Sequence, residues 1–341
     1  MKDLTIVMKW MMIEKKDVLL SILFGFIARI TGVGLFSASG YLISKAALLP
    51  PLHALIILTS TVKLFGFIRA LSRYAERLFS HRATFTMLSH LRVSFFEKLV
   101  PLVPNVFQKY RSGDLLARIV GDVESLQNFF LRVFYPPIVL VTVFLCTILF
   151  TTFFSIYIAI ILLIGLLFTV FIVPAFFARR QIKIDNHVRK GRGALSTEVA
   201  EFLHGFRDLK VYQNLEEKER SLLAASDRYI QEQKNENMNT LYNESANSFI
   251  ALFITWLVLA VGAYLVVHDQ LAGVFLAMLV MTSLTVFEDA GPMAAFPIHL
   301  QNSQYAATRL FSVVHGEESG NTVKKQLPDA QTPDIQMKQV K

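Results

Sequence analysis

The chain has 341 residues, 53% of them apolar and only 18% charged, with a formal net charge of +8. Soluble chains carry about 25% charged residues, so this composition belongs on the membrane side and excludes an ordinary water-soluble globule. One cysteine, Cys146, excludes a disulfide framework and a Cys-rich metal site.

Residues 1–17 mix Lys2, Lys9, Lys15 and Lys16 with Leu4, Val7, Met8, Met11 and Met12. At helical spacing the apolar set falls on one face, which predicts an interfacial helix lying along a membrane leaflet. A membrane domain is expected over residues 18–314. A helix needs about 20 mostly apolar residues to cross a hydrocarbon core of about 30 Å. Six such spans are read, at about residues 18–44, 53–71, 133–152, 155–178, 248–267 and 271–287. The third and fourth share one long apolar stretch, with the hairpin expected at Thr151–Ser155, and His268–Gln270 joins the fifth to the sixth. The runs lack the alternation of barrel strands, so the fold class is all-α integral membrane.

Lys and Arg set the orientation. Of 34, 31 lie in the N-terminal segment, the two long loops and the tail, one (Lys45) lies on the opposite face, and Arg29 and Lys63 fall within spans. That asymmetry predicts two cytoplasmic termini and two long cytoplasmic loops. It also explains the net charge without nucleic acid. Phe95-Phe96-Leu99 and Leu195-Val199-Phe202-Leu203-Phe206 recur at helical spacing, so both loops are expected to be helical.

Arg77 and His81 are four apart and share a helix face, and Arg69 and Arg73 extend the same stripe. Intramembrane cations are costly and face a cavity or a partner. Arg29 and Lys63 are therefore candidates for an anionic substrate path. Glu76 and Glu288-Asp289 have no evident partner in the sequence. No carboxylate pair, His cluster or nucleophile constellation sits at membrane depth, and no catalytic residue is assigned.

Six spans, an interfacial first helix and two helical inner loops resemble the transmembrane domain of type-1 ABC exporters. The run Tyr110-Arg111-Ser112-Gly113-Asp114-Leu115 to Val123 resembles the first coupling helix of that superfamily. Thr197 to Lys210, with Gly205 and Arg207, resembles the second. The resemblance implies coupling roles for Gly113, Asp114, Arg118, Gly205 and Arg207. More specifically, Ser39-Gly40-Tyr41, the run Arg73-Tyr74-Ala75-Glu76-Arg77-Leu78-Phe79-Ser80-His81, Phe287 to Pro292 and Ala306 to Phe311 resemble the CydC-type subunits of heterodimeric CydDC exporters. That resemblance implies a CydD-like partner, export of cysteine or glutathione, or heme transport, in support of cytochrome bd assembly, and a bacterial cytoplasmic membrane. It also implies heme b, with His81 as axial ligand, Arg77 on a propionate and His299 as a second candidate ligand.

The phosphate loop of a nucleotide-binding domain is missing, because none of the sixteen glycines is followed by Lys or Gly. ATP is therefore expected to act only through a nucleotide-binding domain supplied by further sequence or a partner. Residues 315–333 read as a linker. Residues 334–341, Asp334 to Lys341, resemble the first strand of an ABC nucleotide domain, and a truncation just inside that domain is the expectation. The alternatives are a lipid or drug exporter membrane domain, and a non-transporting scaffold or heme-binding assembly factor.

Overall fold

The computed structural model describes residues 2–11 and 14–318, so the expected strand at 334–341 and most of the 315–333 linker lie outside the described residues. Among the described residues all regular structure is helical. Helix α1 (Lys2–Met11) precedes six helical columns that are long and apolar enough to cross a membrane. Helices α2 (Lys15–Ala46) and α3 (Leu52–Leu99) form the first hairpin. Short helices α4 (Val106–Lys109), α5 (Ser112–Ala117) and α6 (Val123–Ser125) turn the chain at its basic end. Helices α7 (Tyr135–Thr152) and α8 (Ile156–Leu167) return through a hairpin centred on Phe153–Ser155, where it was expected. Then α9 (Val173–His204), α10 (Phe206–Val211) and α11 (Leu215–Val267) make a long excursion to the basic end and back. Helices α12 (Val274–Glu288) and α13 (Phe296–Glu318) complete the described chain, and α13 runs past the boundary expected at 314.

At about 1.5 Å per residue, the 48 residues of α3 and the 53 of α11 reach about 70 and 80 Å. That is more than twice the hydrocarbon thickness of about 30 Å. The two long loops are therefore continuations of the membrane helices. Their sequences show why. In α3 the buried positions begin at Ser72 and recur at Ser80, Ala83, Thr84, Met87, Leu88, Leu91, Phe95 and Leu99, a three- and four-residue spacing that lays one face on the core. Residues 52–71 are mostly apolar and contribute no buried position.

Two apolar cores result. The membrane core packs Val139, Val143 and Phe144 against Ile158, Leu162, Val258, Leu279 and Phe287. The basic-end core gathers Met87, Leu91, Val123, Leu126, Phe130 and Leu310, and it takes in Leu4 and Val7. Helix α1 thus spends part of its apolar face on α13 and α3.

Backbones approach most closely at Gly40, where a Cβ atom would lie 2.7 Å from the Ala277 carbonyl oxygen. Small residues permit such contacts between membrane helices. This accounts physically for the Ser39-Gly40-Tyr41 motif. The last column breaks after Glu288. Asp289 and Ala290 turn, and Gly291–Ala295 tightens into a 3₁₀ segment containing Pro292, which has no N–H for a helical ladder.

Candidate functional site

The arginine stripe of α3 faces α2 and the α12–α13 break. Arg69, Arg73, Arg77 and His81 line one cavity of about 310 Å³, together with Arg29 of α2 and Asp289 of the break. Residues four apart on a helix stack on one face, so the spacing in α3 alone aligns the four side chains. Arg29, on the neighbouring helix of the hairpin, adds a fourth guanidinium.

Local contacts hold Arg69 and Arg29. Gly32 leaves space that Arg69 fills, since a Cβ there would meet Arg69 Nε at 3.2 Å, and the Arg69 guanidinium lies 6.0 Å from the Phe36 ring centre. Arg29 Nη1 donates to Asp289 Oδ1 at 2.7 Å. The Tyr135 hydroxyl donates to Glu76 Oε1 at 2.6 Å, which ties α3 to α7. Glu76 and Asp289, which have no evident partners in the sequence, are therefore both engaged. Their partners are separated by 59 and 260 positions, beyond any local pattern. Arg73 and Arg77 make no ion pair among the described residues. With four guanidiniums against two carboxylates, the cavity favours an anion, and planar guanidinium forks match carboxylate groups.

His81 is exposed at the edge of the cavity, and its ring stacks on Phe85 at 5.8 Å. Tyr74, Leu78 and Phe85 are exposed on the same helix face. The two other predicted residues lie elsewhere. Lys63 is exposed and does not line this cavity. Six residues before Arg69, it is turned by about 240° at 100° per residue, which carries it off the stripe. His299 sits on α13 with Nε2 3.0 Å from Arg132 Nη1, and it does not line the cavity with His81.

A second cluster occupies the basic end. Arg118, 8% exposed, places Nε and Nη2 at 3.1 and 2.9 Å from Asp114 Oδ2, and its Nη1 donates to the Arg309 carbonyl at 2.6 Å. Its guanidinium also lies 4.7 Å from the centre of the Tyr110 ring. Arg309 answers from α13, reaching Asp114 Oδ1 at 2.9 Å and Asp122 Oδ2 at 3.4 Å. These reciprocal contacts latch α5 and the widened helical turns at Arg118–Asp122 to α13. Gly113, exposed beside them with nothing within 4 Å of its Cβ position, lies in the first turn of α5. Gly205 separates α9 from α10, and Arg207 is exposed on α10, as are Leu203, Phe206 and Tyr212 around it. The sequence singled out Asp114 and Arg118 but not Arg309 as their partner, although Arg309 lies within a run already noted.

The family described as ABC transporter transmembrane region matches residues 17–288. The chain is similar to the Escherichia coli glutathione/L-cysteine transport system ATP-binding/permease protein CydC, with 26% identity over 96% of this chain and 55% of that protein. Against the Haemophilus influenzae protein of the same name, identity is 25% over 83% of this chain and 50% of that protein. A third relative, the Bacillus subtilis glutathione/L-cysteine transport system ATP-binding/permease protein CydD, is 30% identical over 55% of this chain and 33% of its own length. The chain spans about half the length of the two CydC relatives it matches.

Proposed function

We propose, from the premise that this chain belongs to the ABC transporter transmembrane-region family, that it is the membrane half of a CydC-like exporter subunit paired with a CydD-like partner. Its cargo is a carboxylate-bearing thiol, cysteine or glutathione, as in the names of its relatives. The observation that carries this reading is the convergence of Arg29, Arg69, Arg73 and Arg77 on one cavity. Arg29 lies within a span and the three others continue from it along the basic end of α3, and a cation within a span faces a cavity or a partner. The excess of Lys and Arg at one end supports cytoplasmic termini in a bacterial inner membrane. ATP acts through a nucleotide-binding domain docked on α5 and α10.

The mechanism follows from the ion pairs. An arriving carboxylate competes with Asp289 for Arg29, loosening the contact between α2 and the α12–α13 break. Helix α13 connects that break to the latch of Arg118, Arg309 and Asp114, so occupancy of the cavity and the position of α5 bias each other.

Heme b is a second ligand of this face. The donor set fits it, with one exposed imidazole (His81), a guanidinium one turn away (Arg77) and exposed apolar Leu78 and Phe85 on the same helix face. When bound, heme supplies a redox-active iron, while His81 would ligate it and Arg77 would hold a propionate. A CydC-type reading favours His81 over His299, whose ring nitrogen already engages Arg132.

The test is ATP-driven uptake of labelled glutathione and cysteine into inverted vesicles carrying the chain with a CydD-like partner. Arg29→Gln is expected to lower uptake at least about ten-fold, the loss of one charge-assisted contact of about 1.5–3 kcal/mol. Uptake unchanged in that variant would remove the cavity from the transport path. For heme, the expected result is a Soret band in the purified complex that is lost or shifted in His81→Ala. Identical spectra would sink the ligand assignment.

A further inference from the structure

The hairpin of α2 and α3 decides which guanidiniums of the arginine cavity are tethered and which are open. Gly32 lies opposite Arg69 and Gly25 opposite Glu76, where added Cβ atoms would meet those side chains at 3.2 and 3.5 Å. The helices thus run antiparallel, and Arg29 falls at about the level of Arg73. Arg77 lies one turn further along α3, about 6 Å by the helical rise. Arg29 is held by Asp289, Arg69 rests on α2 beside Gly32 and Phe36, and Glu76 accepts from Tyr135. Arg73 and Arg77 are exposed and make no ion pair among the described residues. Two guanidiniums therefore stay open, one level with the Arg29–Asp289 pair and one a turn beyond it.

Cysteine and glutathione differ in one charged group. Each has an amino-acid head, with a carboxylate and an ammonium on one carbon, and glutathione adds a second carboxylate at its glycine end. A tripeptide-sized chain extends to about 10 Å, so its two ends reach guanidiniums a turn apart when the chain is lightly bent. The cavity, about 310 Å³, is at the small end of ligand pockets, which suits a molecule of that size. The head carries both signs and matches Arg73 beside the Arg29–Asp289 pair. The glycine carboxylate carries one sign and matches Arg77, whose planar fork of donors is unengaged.

We propose that Arg77 is a specificity-determining residue, which holds the second carboxylate of a two-carboxylate cargo and makes the cavity prefer glutathione to cysteine. This preference rests on the arginine cavity being the cargo site. Because Arg77 is exposed, its contact is weaker than a sealed pair, and the discrimination is about three- to ten-fold.

The test is calorimetric titration of the full chain with its partner in nanodiscs, using glutathione, cysteine and glutathione amide, in which a carboxamide of the same shape replaces the glycine carboxylate. Glutathione is expected to bind about three- to ten-fold tighter than either of the others. Arg77→Gln should bring glutathione down to the level of the amide while leaving the amide and cysteine unchanged. Equal binding of glutathione and its amide to the wild type, or a gap between them that survives Arg77→Gln, overturns the proposal. The probe comparison needs no variant, so it decides even where Arg77→Gln fails to fold. Glutathione diester, which lacks both carboxylates, separates the two ways of failing. If acid and amide bind equally but the diester binds more weakly, the cavity holds one carboxylate and only the role of Arg77 falls. If all three bind equally, the cargo site falls with it.

Discussion

Arg29 and Asp289 meet at 2.7 Å with about a third and a quarter of their side-chain surface exposed. A pair so placed is neither a solvent-screened surface bridge nor a sealed one. In the proposed mechanism Asp289 is the counter-ion that an incoming carboxylate replaces. The Tyr135–Glu76 bond differs, because both partners belong to the protein and pin two helices. Tyr135→Phe deletes only the donor, and the expected loss is about 1.5–3 kcal/mol for a hydrogen bond to a charged group. A lowered thermal midpoint in detergent checks it, and an unchanged midpoint would show that the bond carries no net stability. Arg29, Arg77 and His81 were legible in the sequence because a cation at membrane depth and a four-residue spacing are local signals. Asp289 and Glu76 were not, since their partners are set by tertiary packing.

At the scale of elements, close approach decides what varies. A side chain at Gly40 meets the backbone of Ala277, which has no flexible end to move, so Gly40→Leu should separate α2 from α12. The expected result is loss of the monodisperse peak on gel filtration, with Gly121→Ala as a tolerated control because nothing lies within 4 Å of its Cβ position. The latch at the basic end makes a different prediction. Arg118→Ala removes contacts to Asp114 and to the Arg309 carbonyl at once. In the assembled transporter it should reduce cargo-stimulated ATP hydrolysis several-fold while leaving the basal rate near wild type. Equal loss of both rates would contradict coupling through the latch. Helical loops were readable from their apolar spacing, and the hairpin at Phe153–Ser155 from its weak polarity. The pairing of α5 with α13 was not, because 191 positions separate Arg118 from Arg309.

The whole molecule places its two jobs in two cores. The membrane core holds the bundle around the α12–α13 break, and the basic-end core holds α5, α13 and α1 together. Helix α13 belongs to both regions through the break above and the latch below, so a change at Asp289 has a rigid route to Asp114. The outward face of residues 52–71 in α3 contributes to neither core. The charge asymmetry and six spans were plain in the sequence, whereas the division into two cores depends on which faces meet. The central claim is that the arginine cavity holds the carboxylates of the cargo. Its most direct test is equilibrium binding of glutathione and of its diester, which lacks both carboxylates, to the purified complex. Glutathione should bind at least about ten-fold tighter than the diester, and Arg73→Gln with Arg77→Gln should abolish the difference. Equal affinity of the wild type for the acid and the diester would contradict the account.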